Sequence, residues 1–127
     1  MRLTAFFATI AAIVSVNAIA VPRDVWVPRI ISPDSTTVWT MGQTVNVTWD
    51  NSNPPAVITK GSAVALNKAD IPIPKYNQPG GFLAEDFDLL TGFVEVTVPT
   101  DLESADDYSI TLFGDSGNRS PMFTITN

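Results

Sequence analysis

The stretch QTVNVTW, residues 43–49, reads as a β-strand with one dry face and one wet one. Val45, Val47 and Trp49 fall on one side of a period-two repeat, and Thr44, Asn46 and Thr48 fall on the other. Successive side chains of a strand point to opposite faces, so this alternation predicts a sheet buried on one side only. Asn46-Val47-Thr48 is also an N-glycosylation sequon, with its asparagine on the polar side, where a glycan has room. Just upstream, Met41-Gly42 marks a turn, and Val38-Trp39 ends a shorter strand ahead of it. Trp49 is expected in the core and Trp39 at one end of it.

The same alternation recurs downstream. In FVEVTVP, residues 93–99, Val94, Val96 and Val98 share one face, and Pro99 stops the run. Tyr108, Ile110 and Leu112 define another inward face, residues 114–118 predict a tight turn with Gly117 at positive φ, and residues 122–125 close the sheet. Between these runs, residues 56–59 and 62–66 read as strands. Pro72, Pro74, Pro79 and Gly80-Gly81 argue against a helix across residues 70–88, which predicts a short extended piece, a loop and a return. Residues 101–107 read as a polar connection with one helical turn. About seven short strands separated by Pro, Gly, Asn and Asp predict an all-β chain of two packed sheets.

The first residues differ in kind. Met1-Arg2 is followed by LTAFFATIAAIV, residues 3–14, an apolar run too short to span a bilayer comfortably, and then by the small residues of SVNAIA. This is the pattern of a secretory signal, residues 1–20, with cleavage after Ala18 or Ala20. A single domain, residues 21–127, is expected to follow. Without Arg2 it carries six basic against 13 acidic side chains, a formal charge of −7. That balance argues against nucleic-acid and anionic-membrane partners, and no membrane span is expected in the mature chain. There is no cysteine and no histidine. Disulfides, thiolate metal sites and histidine-assisted nucleophiles are therefore excluded, no cofactor is expected, and stability must come from core packing.

Gly114-Asp115-Ser116-Gly117 has the letters of a serine-protease nucleophile segment, yet no histidine exists to take the serine proton, so a hairpin turn is the reading. Glu85, Asp86 and Asp88, and Glu103, Asp106 and Asp107, are expected on solvated loops rather than as a facing pair of glycosidase carboxylates. For ligand contact the candidates are Trp26, in a proline-bounded leading segment, and Tyr76 with Asn77 and Gln78 on a loop. An exposed ring can stack on the apolar face of a sugar while neighbouring amides bond to its rim. Asn118-Arg119-Ser120 is a second sequon, followed by Pro121.

Taken in order, Ile31-Ser32-Pro33, Val38-Trp39 with Gly42, VNVTW at 45–49, VEVTVP at 94–99, DDYSITLFGDSGN at 106–118 and SPMFTI at 120–125 resemble the fungal secreted Kre9/Knh1-like N-terminal domain, also described as the Ser/Thr-rich glycosylphosphatidylinositol-anchored membrane family. The resemblance runs over roughly residues 30–126. It implies an immunoglobulin/fibronectin-III-like β-sandwich and an association with β-1,6-glucan assembly in the cell wall. The Ser/Thr-rich stalk and anchoring tail of many members do not appear in this sequence, which points to a free secreted or wall-associated domain. The family offers no catalytic motif to carry over. The expected function is non-enzymatic association with wall polysaccharide or with a wall protein. The alternatives are an extracellular protein-interaction module and a carbohydrate-active enzyme.

Overall fold

The structure is a computed structural model that describes residues 26–55 and 61–127. The expected signal, residues 1–20, and the expected strand at residues 56–59 lie outside the described residues. Among those described, ten strands follow one another: β1 (Ile30–Ser32), β2 (Val38–Thr40), β3 (Thr44–Trp49), β4 (Ala63–Lys68), β5 (Ile71–Pro72), β6 (Ala84–Glu85), β7 (Phe93–Thr97), β8 (Ala105–Phe113), β9 (Gly117–Arg119) and β10 (Phe123–Thr126). Two single-turn 3-10 helices, Pro74–Tyr76 and Leu89–Thr91, interrupt them. Six of the seven expected strands fall within the described residues, and the other four, β1, β5, β6 and β9, are only two or three residues long, too short to show a period in the sequence.

The strands form two sheets. One has the order β1-β3-β7, all antiparallel, and the other runs β2-β10-β8-β4-β5, with β6 beside β4 and β9 beside β8. The alternation explains the register of the first: Val45 lies opposite Val96 and Val47 opposite Val94, so valines meet valines on the inner face. Asn46 then lies opposite Glu95 and Thr48 opposite Phe93 on the outer face. In the second sheet Val64 and Leu66 of β4 pair with Leu112 and Ile110 of β8, while β10 and the parallel β2 contribute Phe123, Ile125 and Trp39.

These inner faces meet in one apolar core with Trp49 near its centre, 2% exposed. Its indole N–H donates to the Leu89 carbonyl at 2.8 Å, so the one polar atom of the ring is satisfied where water is absent. Trp39 packs edge-on against Phe123, ring centroids 4.6 Å apart. The inward positions predicted on β3, β7 and β8 are inward here.

Two side chains repair the backbone where the ladders fail. Pro121 separates β9 from β10, and there the Ser120 hydroxyl accepts the Ile110 amide at 3.0 Å, while the Ser120 amide donates to the Ile110 carbonyl at 2.9 Å. At the other end of β8, the buried Tyr108 phenol donates to the Glu103 carbonyl at 2.7 Å, five residues back. A tyrosine early in this strand bonding its own upstream backbone is the tyrosine corner of immunoglobulin-like sandwiches. The fold is an immunoglobulin-like β-sandwich.

Several local expectations change. The connection at residues 101–104 has no helical turn, and Asp106 and Asp107 belong to β8 rather than to a loop. Gly117 does not adopt positive φ. What it supplies is space, because a Cβ there would come within 3.1 Å of the Phe113 ring. The leading strand lies at Ile30–Ser32, where β3 offers its edge, with Ile30 opposite Trp49.

Tyr108→Phe is expected to lower the unfolding free energy by about 1 kcal/mol, the net value of one hydrogen bond, and the melting temperature by about 5 °C, read by thermal unfolding of the purified protein.

Candidate functional site

β7 is an edge strand, with β3 on one side and no strand on the other among the described residues. The Val98 amide bonds to the Gln43 carbonyl and the Trp49 amide to the Gly92 carbonyl, each at 2.9 Å. In an antiparallel ladder the hydrogen-bonded pairs alternate, so residues 94 and 96 bond to β3 while Phe93, Glu95 and Thr97 direct their N–H and C=O groups away from it. Glu95 and Thr97 border an open cleft of about 500 Å³.

The opposite wall is the segment from Lys75 to Leu83, and its sequence explains its shape. Prolines 72, 74 and 79 limit its helical structure to the single 3-10 turn at Pro74–Tyr76, and it stays attached because the outer carbonyls of β4 need donors. The Ile73 amide donates to Leu66 at 3.2 Å and the Leu83 amide to Val64 at 2.8 Å. The Asn77 side-chain amide donates to the carbonyls of Leu66 and Ile73 at 2.7 and 2.8 Å. The loop folds back so tightly that a Cβ on Gly81 would lie 2.0 Å from the Lys75 carbonyl oxygen.

Within the cleft, Tyr76, Phe82, Leu83, Val96 and Pro99 supply apolar surface, and Lys75, Glu95, Thr97, Thr100 and Asp101 supply polar groups. The Lys75 ammonium contacts the Asp101 carboxylate at 2.6 Å, and the Tyr76 phenol donates to its other oxygen. The Lys75 hydrogen bond, with the Tyr76 bond second, holds Asp101 below the ordinary aspartate range. The same bond raises Lys75, whereas Tyr76 is raised chiefly by burial and then by Asp101. Aromatic and aliphatic faces beside fixed polar groups suit a ligand with both apolar faces and hydroxyl edges.

The sequence-derived candidates do not converge. Tyr76 lines the cleft. Asn77 is spent holding the loop to β4, and Gln78 is exposed, its backbone carbonyl taking the amides of Gly81 and Phe82 at 2.8 and 3.2 Å. Trp26 is corrected outright: it is 8% exposed and joins the core, away from the cleft, so its indole offers no stacking face. The reason is the β8–β9 hairpin. The Asp115 carboxylate accepts the Trp26 amide at 3.2 Å, Ser116 Oγ donates to the Trp26 carbonyl at 3.1 Å, and Asn118 Nδ2 donates to the Pro28 carbonyl at 2.6 Å. The Gly-Asp-Ser-Gly letters thus serve as a clamp on the leading segment.

Of the two sequons, Asn46 stands exposed on the outer face of β3, whereas Asn118 is half-buried with its amide engaged and Ser120 is buried. The acidic groups singled out in the sequence do local work: Glu85 accepts the Gly80 amide at 2.9 Å, Asp88 caps the Leu89–Thr91 turn, and Asp107 pairs with Lys68 at 3.2 Å. The cleft carboxylates are instead Glu95 and Asp101, and with Lys75 and Phe82 they are the site residues the sequence reading missed. No local spacing links positions 75–83 with 95–101; only the pairing of both segments to other strands does. Among the described residues no three His, Cys, Asp or Glu gather as metal ligands, and no helix is long and apolar enough to cross a membrane.

The cleft's charge pair sets a pH dependence. Because Asp101 is depressed, its contribution to stability is complete above the ordinary aspartate value of 3.8 and is lost as pH falls through the lower folded value. Lys75 is raised, so its contribution is complete below 10.5 and is lost as pH rises through the higher folded value. Melting curves of Asp101→Asn should therefore converge with those of the parent at acid pH and fall below them at neutral pH. Gly81→Ala should push the loop off Lys75 and cost on the order of 1–3 kcal/mol, measured by denaturant unfolding.

A family model described as the Kre9/KNH-like N-terminal Ig-like domain matches residues 32–125, which takes in both walls of the cleft and reaches from the end of β1 into β10. No curated protein and no solved structure gives a significant match. The family is associated with the cell wall. The resemblance read from residues 30–126 and the tyrosine-cornered sandwich agree with that match over most of the chain: this protein belongs to the Kre9/KNH-like N-terminal Ig-like domain family.

Proposed function

We propose that this chain is a secreted, non-enzymatic glycoprotein domain of the fungal wall that binds wall polysaccharide in the cleft beside β7. The observation that carries the reading is the composition of the two walls. The rings of Tyr76 and Phe82 face the same space as Glu95, Thr97, Thr100 and the outward backbone groups of Glu95 and Thr97. A sugar ring has an apolar face for the former and a hydroxyl rim for the latter. Asp101, already committed to Lys75 and Tyr76, acts as a brace that fixes the Tyr76 ring, which lowers the ordering cost of binding. The cell-wall association of the family points the same way.

The non-enzymatic reading is supported by the same electrostatics. Glycoside cleavage calls for two carboxyl groups, one to protonate the leaving oxygen and one free to act as base or nucleophile, and both oxygens of the Asp101 carboxylate are engaged by Lys75 and Tyr76.

A second reading has its own observation. The free ladder of Phe93, Glu95 and Thr97 could accept an extended segment of a wall protein by strand addition, main chain to main chain. A Phe82→Ala variant separates the readings, since strand addition draws on the main chain of β7 and not on that ring.

The test is retention of the purified mature protein on insoluble β-1,3-glucan, β-1,6-glucan, chitin and whole fungal wall. Phe82→Ala should weaken retention about tenfold, equivalent to roughly 1.4 kcal/mol of lost stacking, while Tyr76→Phe, which keeps the ring but loses its bond to Asp101, should bind more weakly than the parent and more tightly than Tyr76→Ala. Equal retention of Phe82→Ala and parent, or retention on none of these polymers, would move the assignment to a protein partner.

A further inference from the structure

Phe93 is 52% exposed at the start of the edge strand β7, on its outer face. The positions around it on that face are polar: Thr48 lies directly opposite, Glu95 is next along β7, and Asn46, opposite Glu95, is its diagonal neighbour. Thr48 and Asn46 are the hydroxyl and acceptor residues of the sequon Asn46-Val47-Thr48. Asn46 and Glu95 form a non-hydrogen-bonded pair, the closer of the two cross-strand spacings, about 4.5 Å between Cα atoms. Diagonal neighbours in such a ladder are about 7–8 Å apart, within reach of an aromatic side chain.

We infer that Asn46 is an N-glycosylation site whose first N-acetylglucosamine packs its apolar face on the Phe93 ring, so that the glycan covers the exposed aromatic of the three-stranded sheet. In the modification, Asn46 Nδ2 bonds to the anomeric carbon of a lipid-pyrophosphate-linked oligosaccharide. The bond from that carbon to the pyrophosphate oxygen breaks, the lipid pyrophosphate leaves with its electron pair, and one amide proton is lost to solvent. The remaining amide N–H and the sugar then stand over a face that otherwise presents a phenyl ring to water. Stacking of sugar on aromatic removes apolar surface from solvent on both partners. The second sequon has no such platform: Asn118 Nδ2 is bonded to the Pro28 carbonyl and Ser120 Oγ receives the Ile110 amide. Modification of Asn46 rests on the proposed secretion of the chain and not on the identity of what the cleft binds.

The experiment uses the full chain secreted from a glycosylating fungal host and trimmed with an endoglycosidase that leaves a single N-acetylglucosamine on each occupied asparagine. Peptide mapping reads occupancy of Asn46, and thermal unfolding compares the trimmed parent with Asn46→Gln, Phe93→Thr, the double variant and Phe93→Tyr. The trimmed parent should melt about 4 °C above Asn46→Gln. That increment should disappear when Phe93 is threonine and persist when it is tyrosine. An unoccupied Asn46, an increment of the same size in the Phe93→Thr background, or its loss in Phe93→Tyr would each overturn the proposal.

Discussion

Strand β8 lies between β4 on one side and β9 and β10 on the other, and its residues from Tyr108 to Leu112 are buried whichever face they point to. A strand in that position has no water to satisfy its amides, so every donor needs a protein acceptor. Where Pro121 interrupts the neighbouring strand, the Ser120 hydroxyl takes the orphaned Ile110 amide, and where the chain enters β8 the Tyr108 phenol ties the approach back to Glu103. On the side away from the core, Asn67 bonds to the hydroxyls of Thr111 and Ser109, satisfying polar side chains that the sheet buries with it. The rest of the sandwich assembles around this strand, because the pairing of β4 and β10 to it brings Val64, Leu66, Phe123 and Ile125 over Trp49.

The cleft follows from the same accounting one strand further out. β4 pairs with β8 on one side, which leaves its other row of carbonyls open. The segment from β5 to β6 closes that row with the amides of Ile73 and Leu83 and the side chain of Asn77. A strand would have done this with a flat edge; a proline-rich loop does it with a fold that projects Lys75, Tyr76 and Phe82 toward β7. The Lys75–Asp101–Tyr76 contacts then bridge the loop to the chain that leaves β7. Each of these exposed contacts is weak by itself. Their effect is positional, fixing a ring and a carboxylate across a space that a ligand could enter.

The two edges of the three-stranded sheet are treated differently. At β1, the leading segment is fastened by Asp115, Ser116 and Asn118 of the opposite sheet, so that edge is short and anchored. At β7 the ladder stays open among the described residues, with Glu95 at its middle and Pro99 just beyond its end, two features that discourage indiscriminate pairing of strands. The outer face between those edges is polar apart from Phe93 and the flanking Ile31, and it also carries the exposed sequon asparagine.

The sequence by itself determined the sandwich. Burial on one face of a strand writes a period of two into the residues, and Val45, Val47 and Trp49, Val94, Val96 and Val98, and Tyr108, Ile110 and Leu112 could be assigned inward without any partner in view. It also determined the family, through landmarks whose order survives along the chain. What only the tertiary structure decided was which residues meet: that Trp26, a candidate for exposure because of its proline-bounded segment, is drawn into the core by a hairpin about 90 positions away, and that Lys75 and Phe82 face Glu95 and Asp101. Local pattern records whether a residue faces water or the core, because that depends on its own strand. It carries no record of a cleft whose walls are brought together by hydrogen bonds to strands that neither wall adjoins in sequence.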